Sequence, residues 1–287
     1  MKKIVAFLIL LAFLVPGKKV FGQTKKDSLQ YYLMDSLKAF TVYADTAKTL
    51  NKIDKDGKKQ GPWEKKYANG SPRYKGYFVD DVPVGKFVYF YSQDTVQAVL
   101  DYGNGEKGLA KVTMYYPGGN LMAKGYYHHE QKDSLWTYYD PFGPIVSTEN
   151  YIDGVKNGVS KIFYHNGNVN EERTWVNGKQ NGMWRQFFED STIKSLGKYH
   201  NDSLQGTVTF FFPGGIKICA QGQYKNDVKN GEWIFYKDDG KILNKQTYSM
   251  GRITKGQTVI TQEQFDKMKA KYQEQQQEIQ EQSDQPK

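Results

Sequence analysis

The sequence predicts an all-β protein: an elongated antiparallel β-hairpin repeat solenoid of about eight 24-residue units, with short helical flanks. Three observations predict this fold class. A glycine recurs every 24 or 25 residues, aromatic residues follow it at fixed distances, and turn-forming pairs such as Asn-Gly separate the aromatic segments. A period held over eight copies is typical of a repeat array, and short strands that alternate with tight turns indicate one hairpin per repeat.

Each repeat opens with a small residue, which we number position 0. The eight residues at this position are Gly61, Gly85, Ala110, Ser134, Gly158, Gly182, Gly206 and Gly231. Position 2 is Trp in four repeats, and an aromatic residue stands at position 17 or 18 in all eight. Because a single 24-residue hairpin is too small to bury a core of its own, we expect neighbouring hairpins to stabilise one another. Sixteen strands at about 4.8 Å each would form a sheet about 75 Å long.

Two turns are predicted in each repeat. The first turn lies near position 9 and contains pairs such as Asn69-Gly70, which tolerate positive φ and therefore predict a type I′ hairpin turn. The second turn follows the aromatic residue of position 17, as at Asn177-Gly178. Four sites depart from the pattern at position 0 or at the first turn, and we expect local kinks or bulges there. These sites are Ala110, Ser134, Gln93-Asp94 and Asp190-Ser191.

The aromatic residues divide between the two faces of the predicted sheet. Side chains alternate along a strand, so positions 2, 4 and 6 share one face, which is the better candidate for the core, and position 5 lies on the other face. The seven aromatic residues at position 5, named here the position-5 stripe, are the candidate binding residues: Phe90, Tyr115, Tyr139, Phe163, Phe187, Phe211 and Tyr236. Two interpretations stay open. The stripe is exposed and binds a partner, or the sheet curls or packs so that both faces are partly buried.

The repeat resembles the bacterial variant of the MORN repeat (membrane occupation and recognition nexus). The resemblance covers roughly residues 54–251 and rests on elements such as G-x-W, Y-x-N-G and a closing K-N-G-x-W. It implies a scaffold or binding surface, in some members at a membrane, and some bacterial variants have been labelled antitoxins. The resemblance implies no enzyme activity.

Residues 1–22 are predicted to be a secretory signal peptide. Two lysines precede an apolar run at residues 4–15, which is short for a membrane span, and the segment ends in Val-Phe-Gly at a candidate cleavage site. We therefore expect an exported protein, periplasmic, cell-surface or secreted, after cleavage near Gly22. The alternative is that the basic pair Lys18-Lys19 prevents cleavage and leaves an N-terminal anchor.

Two flanks are predicted around the array. The predicted boundaries are 1–22 for the signal peptide, 23–53 for an N-terminal capping segment, 54–260 for the repeat array and 261–287 for a Gln/Glu/Lys-rich helical or disordered tail. The capping segment carries apolar residues at helical spacing and would cover the open edge of the first hairpin. The tail begins with a capping box and is either solvated or a coiled-coil partner site.

No catalytic constellation or cofactor motif is apparent in the sequence. It contains no H-E-x-x-H motif, no P-loop and no dinucleotide-binding fingerprint. His128-His129-Glu130 has the residue types of a zinc site but fills a second turn, so no metal is predicted. Cys219, the single cysteine, is expected to be a small strand residue, and Asp80-Asp81 and Glu171-Glu172 are expected at turns and strand faces. We therefore predict no enzyme and no cofactor.

The charge pattern limits the classes of partner. The formal net charge is +9, but basic and acidic residues alternate on turns rather than forming basic runs, which disfavours nucleic acid as a partner. The predicted function is a non-enzymatic exported scaffold that presents an aromatic-rich surface to a partner protein or an envelope glycan. Alternatives are peripheral association with an anionic membrane surface and an antitoxin-like neutralising binder. The oligomeric state is left open.

Overall fold

The structure is a computed structural model that describes residues 50–105 and 108–256, together with Ala270. The described residues form nineteen β-strands, and no helix long and apolar enough to cross a membrane is found among them. The strands are β1 (Lys52–Ile53), β2 (Lys59–Lys66), β3 (Pro72–Val79), β4 (Val82–Phe90), β5 (Val96–Asp101), β6 (Leu109–Tyr115), β7 (Leu121–His128), β8 (Gln131–Tyr139), β9 (Ile145–Ile152), β10 (Val155–Lys156), β11 (Gly158–Phe163), β12 (Val169–Val176), β13 (Lys179–Phe187), β14 (Ile193–His200), β15 (Ser203–Phe211), β16 (Ile218–Lys225), β17 (Val228–Tyr236), β18 (Ile242–Ser249) and β19 (Arg252–Lys255).

The strands form one antiparallel sheet in which each strand pairs with the next along the chain. Strand β9 pairs with both β10 and β11, which are two halves of one strand interrupted at Asn157. Within the described residues no register joins β1 to β19, so the sheet is open. Short connections are enough for such a meander, because antiparallel neighbours need only tight turns. The predicted all-β array of hairpins is confirmed.

The first turns differ from the type I′ turns predicted for them. In the turn after β2, the amide of Gly70 donates to the carbonyl of Tyr67 at 3.0 Å, and only Gly70 has positive φ, at 87°. The two central residues therefore form a type I turn, and the glycine that follows forms a bulge with left-handed backbone. The type I′ prediction was wrong here because the Asn of the Asn-Gly pair keeps a negative φ.

Seven second turns are the type I′ turns of the array; the predicted turn at Asn104-Gly105 differs, because Asn104 does not have a positive φ. These seven are two-residue loops in which both residues have positive φ, as this turn type requires. Most of their residues are Asp, Asn or Gly, which tolerate left-handed backbone with little strain. The pairs are Asp80-Asp81, His129-Glu130, Asp153-Gly154, Asn177-Gly178, Asn201-Asp202, Asn226-Asp227 and Met250-Gly251.

Position 0 marks a bulge in the strand that follows the second turn. Between β3 and β4, Lys75 faces Val88 and Tyr77 faces Val84, so β4 carries two extra residues around Gly85. The φ of Gly85 is 63°, and such a bulge bends the strand. The same two-residue excess occurs in the pairings of β8, β13, β15 and β17 with their preceding strands.

Three of the four sequence departures do not disturb the structure. Ser134, Asp94 and Ser191 adopt φ values of 57°, 64° and 67°, the same left-handed backbone as the glycines that they replace. A bulge occurs at each of these three sites, as expected, but it is the same bulge that the glycines form in the other repeats. Ala110 does differ, because it is absent from the positive-φ residues and β6 pairs with β5 without a register shift.

The core lies on the even face, as predicted, and small residues make room for its large rings. Trp136 and Trp233 are 0% exposed. A methyl group on Gly125 would lie 2.4 Å from the Trp136 ring, and one on Gly222 would lie 2.3 Å from the Trp233 ring. The aromatic ring of one repeat therefore rests on a backbone glycine of the repeat before it, so packing joins neighbours rather than closing each hairpin.

Several sequence predictions lie outside the described residues. They are the signal peptide at 1–22, most of the capping segment at 23–53 and the tail at 261–287. These remain predictions. At the edge of the described range, β1 pairs with β2 across a turn in which Asp54 accepts hydrogen bonds from the amides of Asp56 and Lys58.

Candidate binding surface

Lysine side chains cover the tryptophans of the even face, named here the inner face. The ammonium of Lys229 lies 4.3 Å from the ring centre of Trp233, and that of Lys132 lies 4.8 Å from the ring centre of Trp136. Burial lowers the pKa of both lysines. Their methylene chains lie on the rings while the charge forms a cation–π contact. The sheet thus buries its tryptophans under amphipathic side chains.

The position-5 stripe lies on the opposite face, named here the outer face. Phe90 and Tyr115 are buried, at 6% and 9% exposure, and burial raises the pKa of Tyr115. The other five rings are half-buried: Tyr139, Phe163, Phe187, Phe211 and Tyr236. The first two rings of the stripe are therefore buried, and the last five keep part of their surface accessible to solvent.

A row of apolar side chains that the sequence reasoning missed accompanies the stripe. Each ring faces one of them across the first turn, since Tyr139 pairs with Ile145 and Phe187 pairs with Ile193. Such aromatic–aliphatic cross-strand pairs stabilise a sheet. The remaining partners are Val96, Leu121, Val169, Ile218 and Ile242. A sequence signal was present, because these residues stand about six positions after the ring.

Tyrosine hydroxyls hold the backbone of the stripe in place. The tyrosine at position 6 of one repeat donates to the carbonyl of position 5 in the next repeat. The bonds run from Tyr67 to Phe90 at 2.8 Å, from Tyr91 to Tyr115 at 2.9 Å, from Tyr116 to Tyr139 at 2.9 Å and from Tyr164 to Phe187 at 2.8 Å. We name these four bonds the tyrosine ladder. It fixes the spacing between successive rings.

The charges that border the stripe are balanced. Glu172 forms ion pairs with Lys161 at 2.9 Å and with Arg185 at 3.1 Å. The ammonium of Lys124 lies 6.0 Å from the ring centre of Tyr139. Paired charges of opposite sign give no uniformly positive surface here.

Polar side chains interrupt the inner face in the fifth repeat. Ser160 stands where four other repeats have Trp, and Glu171 stands where five others have Ala or Ser. Glu171 is 6% exposed, and its Oε1 accepts hydrogen bonds from Nε1 of Trp184 at 2.6 Å and from Nε of Arg173 at 2.7 Å. The buried charge is thus paired, as a buried charge must be. The interruption separates two apolar clusters, around Trp136 and Trp184.

A second polar group borders this interruption. Glu149 accepts hydrogen bonds from the hydroxyl of Tyr151 and the ammonium of Lys156. Burial alone would raise the pKa of Glu149, but Lys156 and Tyr151 hold it below its ordinary value. Burial and the bond to Glu149 raise the pKa of Tyr151 to about 12. Sequence reasoning missed both groups, since it placed Glu171 only at a strand face and gave Ser160 no role.

The single cysteine of the sequence lies in a strand. Cys219 is half-buried in β16, and burial raises the pKa of its thiol. A raised pKa leaves little thiolate, the reactive form, at neutral pH.

A protein-family model describes the hairpin repeat. The MORN repeat variant model matches the chain at 59–80, 110–129, 156–177 and 229–250. Each match starts at or two residues before position 0 and ends within the second turn, so it covers one bulged strand, one first turn and the returning strand. The chain belongs to the MORN repeat variant family. MORN repeats are binding and scaffold modules, and this one has aromatic clusters on an open sheet.

Comparison with solved structures gave only weak likenesses to these MORN repeats. A structure of a mutant S. aureus TarM in complex with Fondaparinux, alpha-GlcNAc-glycerol and UDP is 11% identical over 57% of this chain and 32% of its own, with a TM-score of 0.26. A Photorhabdus luminescens Tc holotoxin pore is 11% identical over 71% of this chain and 13% of its own, with a TM-score of 0.21. This chain thus spans a third or less of either structure, and neither likeness supports a functional argument. A search of curated proteins found no match.

Proposed function

We propose that this protein is a non-enzymatic, exported scaffold that binds a partner protein or an envelope glycan along the position-5 stripe. The observation that carries the proposal is the row of five half-buried rings, Tyr139, Phe163, Phe187, Phe211 and Tyr236, in successive repeats of an open sheet. Accessible apolar rows on a soluble protein commonly mark interaction sites. Export is inferred from the predicted signal peptide at residues 1–22.

The geometry of the stripe favours an extended ligand. Two strands per repeat at about 4.8 Å each separate successive rings by about 9.6 Å, so five rings extend over about 38 Å. The tyrosine ladder ties the backbone of two of these rings, Tyr139 and Phe187, to the preceding repeat, which reduces the ordering needed on binding. Flat rings in a row suit a sugar chain or an extended polypeptide. Because the charges beside the rings are paired with one another, shape and hydrogen bonding would determine which ligand binds.

The stripe is tested by capture from envelope extracts. Wild-type protein and a triple variant, Tyr139→Ala/Phe163→Ala/Phe187→Ala, are compared as bait, with captured proteins and polysaccharides both analysed. We expect the triple variant to lose the partner, because three adjacent contacts are removed. Thermal unfolding of both proteins shows whether the variant remains folded.

The control removes three exposed apolar side chains elsewhere on the sheet. Val79, Ile152 and Val176 are 44%, 56% and 42% exposed and lie beside second turns. The control Val79→Ala/Ile152→Ala/Val176→Ala should keep the partner. If the stripe variant stays folded and captures the same partners as wild type, the stripe is not the binding site.

Export has its own test, independent of the partner. Cell fractionation should place the protein outside the cytoplasm, and mass spectrometry of its N terminus should find cleavage near Gly22. A full-length chain confined to the cytoplasm contradicts export while leaving the binding role of the stripe to be judged by capture.

A further inference from the structure

Three second turns share a side-chain contact with the strand that precedes them. The residue before position 0 is an amide in five of the eight repeats, and in the repeats of Gln60, Asn157 and Gln205 it donates to the side-chain oxygen of the next second turn. Gln60 donates to Asp80 at 2.6 Å, and Asn157 donates to Asn177 at 3.3 Å. The side-chain amide that donates is neutral, so this contact does not place two charges of the same sign next to each other.

In the fourth repeat the amide is replaced by a carboxylate. Asp133 occupies the position of the donor and Asp153 that of the acceptor. An ionised carboxylate has no proton to donate, so two negative groups face each other where other repeats have a hydrogen bond. Asp133 accepts from the hydroxyl of Ser134 at 2.7 Å and from the amide of Asp153 at 3.4 Å. Neither contact brings a positive charge to this pair of carboxylates.

An imidazole completes the cluster. His128, the last residue of β7, places Nδ1 3.1 Å from Oδ1 of Asp153. The ligand atoms of His128, Asp133 and Asp153 all lie within 4.8 Å of one another. Two ligands of a tetrahedral Zn²⁺, at about 2.0–2.1 Å from the ion, lie roughly 3.4 Å apart, so these partly exposed side chains would close by up to roughly 1.4 Å to bring all three onto one ion. A protonated His128 would instead pair with Asp153 alone.

We propose that His128, Asp133 and Asp153 form a binding site for a divalent first-row metal such as Zn²⁺. One imidazole and two carboxylates form a ligand set suited to this class of ion. The side chains of His128 and Asp153 are 35% and 67% exposed, so the ion enters from solvent and keeps water in its remaining positions. The three ligands come from β7, β8 and the turn after β9, so the metal clamps three neighbouring strands. The sequence reasoning considered only His128-His129-Glu130, because Asp133 and Asp153 become neighbours only through strand pairing.

The chain contains a matched copy of the site without carboxylates. His200 stands at the position of His128, Gln205 at that of Asp133 and Asn226 at that of Asp153. Gln205 donates to Asn226 at 3.3 Å, the ordinary amide contact of this array. The copy has the same backbone and the same imidazole, so it separates the effect of the carboxylates from that of histidine.

The experiment measures Zn²⁺ binding to the full chain, purified without a polyhistidine tag, by calorimetry. We expect one equivalent of Zn²⁺ to bind wild type and to raise its unfolding temperature. Asp133→Asn restores the amide found at this position in other repeats, so it should fold normally while weakening Zn²⁺ binding at least tenfold. His128→Val, which installs the residue present at Val79 and Val176, should do the same.

The control is His200→Val, which should leave Zn²⁺ binding unchanged. Unfolding temperatures without metal check that all variants are folded. The proposal is overturned if wild type binds no Zn²⁺, or if folded Asp133→Asn and His128→Val bind it as tightly as wild type does.

Discussion

At the scale of single residues, the packing of the inner face depends on glycine as much as on tryptophan. Gly125 and Gly222 lie under the rings of Trp136 and Trp233, closer than any side chain would allow. Neither glycine has a positive φ, so the need is for space and not for backbone freedom. Sequence reasoning assigned the glycines to turns. It missed this second use because the contact joins two strands, and only the register reveals it.

A pair of glycine substitutions tests the contact. Gly222→Ala should lower the free energy of unfolding by about 2–3 kcal/mol, because Trp233 is fully buried and has nowhere to move. Gly118→Ala should be neutral or stabilising by about 0.4–1 kcal/mol, since Gly118 has an ordinary φ and nothing within 4 Å of an added methyl group. Urea unfolding monitored by tryptophan fluorescence measures both. Equal effects of the two substitutions would contradict the packing account.

At the scale of elements, each hairpin is attached to the next by bonds that neither could make alone. The tyrosine ladder spans the first turns, while backbone bonds span the second turns, as from the amide of Gly178 to the carbonyl of Lys156 at 2.9 Å. The sequence showed the tyrosines at position 6 but not their partners, since each hydroxyl crosses to a residue 23 or 24 positions away. The type of the first turns was predicted wrongly because an Asn-Gly pair occurs in more than one type of turn.

The ladder stops where phenylalanine replaces tyrosine, and this gives a reciprocal prediction. Tyr164→Phe should destabilise the array by about 1 kcal/mol, because the carbonyl of Phe187 loses a hydroxyl donor. Phe188→Tyr should stabilise it by about 0.5–1 kcal/mol, because position 6 of that repeat would gain a hydroxyl directed at Phe211. Urea midpoints at unchanged slope measure both changes. A destabilising Phe188→Tyr would mean that the geometry does not continue into the C-terminal repeats.

At the scale of the whole molecule, the period of the sequence predicted the architecture well. The hairpin arrangement, the core face and the register of the stripe followed from residues such as Trp63 and Phe163, which recur in step. The polar interruption at Glu171 and Arg173 did not follow, because buried ion pairs look like surface charges until their neighbours are known. The cluster of His128, Asp133 and Asp153 was not predicted for the same reason, because these residues become neighbours only through strand pairing.

An elongated shape is the prediction that belongs to this scale. An array of sixteen or more strands should extend about 75 Å or more, whereas a compact globule of 287 residues would have a radius of gyration of about 19 Å. Small-angle X-ray scattering should therefore give a pair-distance distribution with an early peak and a long tail, and a larger radius. A symmetric distribution with a radius near that of the globule would contradict an extended sheet.

The tyrosine ladder also bears on how such a protein changes over generations. Each of its bonds joins residues 23 or 24 positions apart, so duplication or loss of one whole repeat gives every hydroxyl an equivalent carbonyl. A gene of this kind lengthens or shortens in steps of one module, by unequal recombination, without a redesigned interior. The length of the sheet is then a heritable quantity that varies in increments of about 10 Å.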